Sequence, residues 1–142
     1  MFQGASKICL DLKGRFNIPK RFCDELQKEL KQSLVMTKHP DGCLLVFPMS
    51  AWEIFRSKIA ALPIDAHWWR RIFLGNAAEI QISSPNRILI PPELRSAAQL
   101  TCEIVLLGMG NHFEIWDTSL YSIKEAEAMK QDMPDVLKNF SF

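Results

Sequence analysis

The stretch Leu10-Asp11-Leu12-Lys13-Gly14-Arg15-Phe16-Asn17-Ile18-Pro19 returns, more loosely, as Ile82-Ser83-Ser84-Pro85-Asn86-Arg87-Ile88-Leu89-Ile90-Pro91. Arg15 aligns with Arg87, and Ile18-Pro19 and Ile90-Pro91 keep the same register. More follows each copy. Leu34-Val35-Met36 and then Leu44-Leu45-Val46-Phe47 answer to Val105-Leu106-Leu107 and then Phe113-Glu114-Ile115-Trp116. Two copies of one plan predict a duplicated module with a pseudo-two-fold axis, and a solenoid, which needs at least three repeats, is excluded. The best-kept part is a turn carrying an arginine, so function is sought there first.

Outward from the first copy, Ser6 to Leu12 alternates as a strand does, with Ile8 and Leu10 on one face. Lys13-Gly14 turns the chain, glycine permitting a positive φ. Arg15 to Ile18 restarts a strand, and Pro19 opens a helix whose stripe is Phe22, Leu26 and Leu30. His39-Pro40-Asp41-Gly42 joins two strands as a hairpin. Ser50 to Glu53 reads as a capping box for a helix that stops before Pro63, and Asp65 reads as the cap of a helix ended by Gly75-Asn76. Ala78, Ile80 and Ile82 lead into the second copy, followed by a short helix, strands flanking Gly108 to Asn111, and a helix after Asp117. Pro134 breaks that helix before a tail expected to be mobile.

The order is strand, turn, strand, helix, hairpin, helix, performed twice. It predicts an α+β molecule, mainly β: a small barrel with helices packed outside it. Modules 1–76 and 77–142 are expected to form one compact domain.

The 142 residues suffice for one core, with 48% apolar and 23% charged residues. No apolar run approaches the roughly 18 residues of a membrane helix, and the stretch Met1 to Lys7 lacks the basic-then-apolar order of a signal peptide. A cytoplasmic protein is expected. Cys9, Cys23, Cys43 and Cys102 are scattered and read as buried free thiols, with neither metal nor disulfide implied. Net charge is +1, unevenly distributed. Between Met1 and Arg21, the bases Lys7, Lys13, Arg15, Lys20 and Arg21 face only Asp11, whereas acids outnumber bases from Asp117 onward. A basic head hints at an anionic partner for the first motif.

An arginine at a strand tip is always charged, and its fork fits phosphate oxygens or the O6/N7 edge of guanine. Lys13 would add a point charge, and Asn17 or Asn86 could donate nearby. Asp11, four positions before Arg15, could instead simply pair with it and hold the loop. Both roles are compatible, since a carboxylate that orients a guanidinium also preorganises it.

These residues carry a family resemblance. Met1-Phe2-Gln3-Gly4-Ala5, Asp11-x-Lys13-Gly14-Arg15-x-x-Ile18-Pro19, Thr37 to Leu44, Phe73-Leu74-Gly75-Asn76-Ala77 and Pro92-Glu93-Leu94-Arg95 resemble the MraZ family over essentially the whole chain. That family comprises bacterial regulators encoded at the head of the division and cell-wall gene cluster. The resemblance implies an AbrB-like, MazE-like fold of two interlocked, swapped-hairpin β-α-β modules. It further implies a ring-shaped homo-oligomer that represses its own cluster by binding tandem short repeats in promoter DNA, at the nucleoid, without a cofactor. The family's D-x-x-x-R motif falls on Asp11 and Arg15, with Lys13 and Gly14 between them. In the second half it falls on Ser83 and Arg87, where serine replaces aspartate and Asn86, after Pro85, replaces glycine. The DNA-contacting set is therefore expected to be Asp11, Lys13, Gly14, Arg15, Asn86 and Arg87. Lacking its own carboxylate, Arg87 is expected to be less fixed and the weaker contact.

The other chemistry-bearing residues read more plainly. Trp52, Trp68, Trp69 and Trp116, with Phe47, Phe55, Phe73 and Phe113, could stack bases but read better as core or interface. Adjacent Trp68 and Trp69 cannot both face one core, which fits packing on a neighbouring subunit. His39, His67 and His112 read as turn or surface residues, and Arg70-Arg71 as a solvated helix face or a second phosphate contact. Glu53, Glu114 and Asp117 make no evident acid/base pair, and the sequence carries no hydrolase elbow or Walker loop, so no enzyme is expected. The contrasting reading is an antitoxin-like protein-interaction module using residues 130–142, including Met133, Val136, Leu137 and Phe140.

Overall fold

The computed structural model describes residues 1–28, 33–83 and 86–141. Leu30 of the expected helix stripe, Ser84 and Pro85 of the second motif, and Phe142 of the tail lie outside the described residues.

The first half runs β1 (Phe2–Cys9), β2 (Arg15–Asn17), α1 (Lys20–Leu26), β3 (Ser33–Lys38), β4 (Leu44–Pro48) and α2 (Met49–Ala60). A 3-10 turn, Ile64–Ala66, and α3 (His67–Phe73) connect it to the second half. There β5 (Ala78–Gln81), β6 (Arg87–Leu89), α4 (Pro92–Ala97), β7 (Glu103–Gly110), β8 (Phe113–Asp117) and α5 (Thr118–Met129) repeat the plan. A final turn of helix, α6 (Asp135–Lys138), follows.

Six strands form one antiparallel sheet in the order β1-β7-β8-β4-β3-β5, and β2 pairs with β6. Exchanging the halves returns the same order read from the other edge, which is the expected pseudo-two-fold relation. Each half's first strand pairs with the other half's hairpin, β1 on β7 and β5 on β3, so neither module satisfies its own strands alone. A closed barrel is not among the strand pairings of the described residues; the pairings are those of an open sheet with a two-stranded partner.

Side-chain alternation accounts for the repeated motif. Phe16 and Ile18, and their counterparts Ile88 and Ile90, are buried, while Arg15, Asn17, Arg87 and Leu89 take the opposite face. Burying each such apolar side chain contributes roughly 1.5–3 kcal/mol, so the register that exposes the arginines is set by the core. Phe2, Phe22 and Phe113 complete that core as a mutually packed trio with centroids 4.1–6.1 Å apart. On the sheet's other face, Val35, Leu45 and Phe47 pack against Ala51 and Trp52 of α2, and Val105 and Trp116 pack against Leu120 and Tyr121 of α5. At Gly108 a Cβ would collide with the backbone nitrogen of Gln3, so only glycine lets β1 and β7 approach there.

Several local expectations are corrected. The α2 helix begins at Met49 directly after Pro48, with no side-chain cap; Ser50 lies inside the first turn, because a proline already at φ −58° lets the strand pass straight into helix. Asp65 belongs to the 3-10 turn, and Ala66 holds the cap position of α3. The end of α3 agrees with the sequence reading, since the Asn76 side-chain amide donates to the carbonyls of Arg71 and Ile72 (3.1 and 3.0 Å). The tail after Pro134 is not wholly irregular, since residues 135–138 form a helical turn. Of the four cysteines only Cys43 is buried; Cys23 is half-buried, and Cys9 and Cys102 are exposed, because they lie where β1 and β7 leave the core. Trp52 and Trp116 are core residues, but Trp68 and Trp69 are both exposed, Arg71 lying over the Trp68 ring at 4.8 Å. Arg70 turns inward and donates to the carbonyls of Leu62 and Ile59, so it does not lie on a solvated helix face.

Candidate nucleic-acid interface

The first turn is built on one carboxylate. Asp11 Oδ1 accepts the backbone N–H groups of Lys13 and Arg15 at 2.9 and 2.8 Å, while the Gly14 N–H donates to the Asp11 carbonyl at 3.0 Å. Gly14 supplies the φ of +84° that closes the turn. An aspartate followed by such a turn is the expected local fold, since its side chain replaces backbone partners that a loop otherwise lacks.

The other oxygen of Asp11 faces both motifs. Oδ2 accepts from Arg15 Nε and from Arg87 Nη2, each at 2.7 Å. The β2–β6 ladder places Asn17 opposite Arg87 and Leu89 opposite Arg15, so both arginines share one exposed face. Their side chains are 39% and 43% exposed, which makes them equally available. The expectation that Arg87 would be less fixed is therefore corrected. Ser83 cannot supply the carboxylate, but strand pairing carries Arg87 across the pseudo-two-fold axis to the carboxylate of the first motif. Exposed ion pairs contribute little to stability, so this one acts mainly by orienting two forks.

The remaining predicted residues divide. Lys13 is exposed beside the turn. Gly14 is buried, covered by the Arg95 side chain, which would lie 2.5 Å from a Cβ at that position. Asn86 spends its side-chain amide on the Ile18 carbonyl (2.8 Å), and its backbone carbonyl accepts from the Ile18 N–H (2.9 Å), tying the halves together. Asn86 is thus a structural tie more than a free donor.

Arg95 has no signal in the repeat, because its counterpart in the first copy is Cys23, so symmetry does not announce it. Its place in the Pro92-Glu93-Leu94-Arg95 stretch is the signal that could have found it. Among the described residues the Nε atoms of Arg87 and Arg95 are buried without a hydrogen-bond partner. Four cations, Lys13, Arg15, Arg87 and Arg95, thus gather around the Asp11 turn. A shallow groove beside Arg15 and Arg87 is edged by Glu79, Gln81 and Ser83. Such an edge can engage phosphate oxygens and base acceptors with paired N–H donors.

The Asp11 carboxyl is held well below the usual carboxylate range. The Arg15 backbone N–H is the largest cause, aided by the Arg15 and Arg87 side chains and the Lys13 N–H, with desolvation opposing. A folded-state value below the unfolded one gives stability that is fully present above about pH 4 and lost as pH falls toward the folded value. The melting-temperature gap between wild type and Asp11→Asn is expected to stay constant from pH 7 to 5 and shrink below about pH 4. A gap that persists undiminished to pH 2 in thermal unfolding would contradict this role.

Burial pushes the Cys43 thiol up, with Glu114 and Asp41 adding to it. Burial also lowers His112, which stacks on Phe47 at 5.0 Å. His39 sits in its hairpin turn, where Nδ1 accepts from the Asp41 N–H. No group of three or more metal-ligating side chains occurs among the described residues, and none of their helices is long and apolar enough to cross a membrane.

Two interlocked, symmetry-related modules presenting a carboxylate-clamped pair of arginines define a class of duplicated α+β protein with a cationic edge. Within that class the chain belongs to the MraZ family: the family described as "MraZ protein, putative antitoxin-like" matches residues 1–72 and 73–137. Proteins named transcriptional regulator MraZ from Cupriavidus taiwanensis and from Burkholderia cenocepacia strain HI2424 are each 60% identical to it over 142 residues, covering all of both chains. A relative of the same name from Burkholderia ambifaria strain MC40-6 is equally similar, at 60% over the full length.

Proposed function

We propose that this chain is a sequence-specific DNA-binding transcriptional regulator that reads promoter DNA with the edge formed by Arg15, Arg87, Lys13 and Arg95. The observation that carries the proposal is the single carboxylate of Asp11 holding two forked guanidiniums, one from each motif, on one exposed face. The names of its relatives as transcriptional regulators support the same reading.

In finer terms, the modules 1–76 and 77–142 form one compact AbrB-like domain of swapped hairpins, and several copies assemble as a ring. The ring repeats the arginine edge at fixed spacing against tandem promoter repeats of the division and cell-wall cluster. Binding one repeat then raises the effective concentration of the next edge at the next repeat. Repression is steric, the occupied promoter being closed to polymerase at the nucleoid. Exposed Trp68 and Trp69 suit the packing of one copy on another.

Fluorescence anisotropy on the chain's own upstream DNA tests this at two salt concentrations. Each phosphate neutralised is expected to add about −0.9 to the slope of log affinity against log salt, so a ring gives a steep fall. Salt-insensitive binding, or none, would shift the assignment to the antitoxin-like interaction module. The exposed apolar residues Met133, Val136, Leu137 and Phe140 favour that second reading.

A further inference from the structure

We propose that Cys9 and Cys102 are a modification site: an oxidisable dithiol that reduces a low-molecular-weight disulfide and closes into one intramolecular disulfide joining the two modules. The Sγ atoms lie 2.9 Å apart, although the residues are 93 positions apart in the chain. Cys9 ends β1, where its Cα partner is Glu103. Cys102 stands just before β7, at a bend, and its carbonyl accepts the Leu10 N–H at 2.7 Å. Side chains on adjacent rungs of a regular ladder point to opposite faces. The bend releases Cys102 from that rule and brings its sulfur to Cys9. Both residues are exposed, so a small disulfide can reach them. The other two thiols are poorly placed for the same chemistry. Cys43 is buried, and Cys23 donates to the Ile18 carbonyl at 3.4 Å.

The chemistry balances. One cysteine, as thiolate, attacks a sulfur of the small disulfide and expels one small thiol. The second cysteine then displaces the other small thiol and forms the Sγ–Sγ bond. Two electrons pass from the cysteine pair to the small disulfide, and the two thiol protons end on the released thiols. The hydrogen bond to Cys102, and to a lesser degree desolvation and Glu103, raise the Cys9 pKa and favour its thiol form. Closure therefore accelerates as pH rises. The bond staples an edge strand of the sheet to its neighbour β7, two positions before Asp11.

The test uses the full-length protein and oxidised glutathione, with alkylation of remaining thiols after denaturation, intact mass and peptide mapping. The expected product is a single chain that has lost two hydrogens, keeps two of its four thiols, and yields a Cys9–Cys102 linked peptide. Because the loop closed is long, its melting temperature is expected to rise by roughly 5–10 °C and to return on reduction. Cys9→Ser and Cys102→Ser, each checked for native circular dichroism, are expected to stop at the glutathione adduct. Persistent adducts on the wild type, a covalent dimer, a linked peptide containing Cys23 or Cys43, or four free thiols would each overturn the proposal.

Discussion

Arg15→Ala is expected to weaken binding to the upstream DNA by roughly 10- to 100-fold, the loss of one well-made bidentate contact per edge. Arg87→Ala is expected to cost about as much. The reason lies in the clamp: Asp11 Oδ2 holds both guanidiniums at 2.7 Å, and both are similarly exposed. If the first motif alone read DNA, Arg87→Ala would be nearly silent. Anisotropy titrations of the two variants, with oligomer size followed by light scattering, separate these cases. Wild-type affinity in Arg15→Ala would make Arg15 a structural partner of Asp11 and nothing more. Loss of affinity together with loss of assembly would place the arginines in subunit packing instead.

Gly14→Ala is the second change with a large expected effect. A left-handed conformation costs an alanine roughly 1–2 kcal/mol, and Gly14 sits at φ +84°. For a chain of this size that corresponds to a fall of roughly 2–8 °C in melting temperature. The new methyl would also meet the Arg95 side chain at 2.5 Å, so Arg95 must swing away from the edge. DNA affinity should fall with it. The double variant Gly14→Ala/Arg95→Ala relieves the overlap but leaves the backbone strain, so it should melt no lower than Gly14→Ala alone. Scanning calorimetry that found Gly14→Ala melting with the wild type would show the turn relaxing at no cost, against this expectation.

Much of this molecule is legible in its sequence. The repeat predicts the element order of both halves because alternation in Phe16, Ile18, Ile88 and Ile90 is a local consequence of strand geometry. The turn at Asp11 to Arg15 is legible for the same reason: an aspartate, a glycine and an arginine four positions on need only each other to close it. The helix starts are less legible. Ser50 and Asp65 have the chemistry of caps, but Pro48 and the 3-10 turn fix where the chain enters helix. Exposure of Cys9 and Cys102 is not legible either, since a thiol's burial depends on where its strand leaves the core.

The sequence by itself determined the duplicated plan, the α+β content, the arginine turn and the family, because each rests on contacts along a short stretch or on pattern over the whole chain. Only the tertiary structure decided which strands the interlocked modules exchange, β1 onto β7 and β5 onto β3. It also decided that Asp11 serves Arg87 from 76 positions away, that Arg95 covers Gly14, and that Cys9 meets Cys102. Those pairings are set by which strand lies beside which. That choice is made by burying the two apolar faces together, a collective gain that no local stretch encodes.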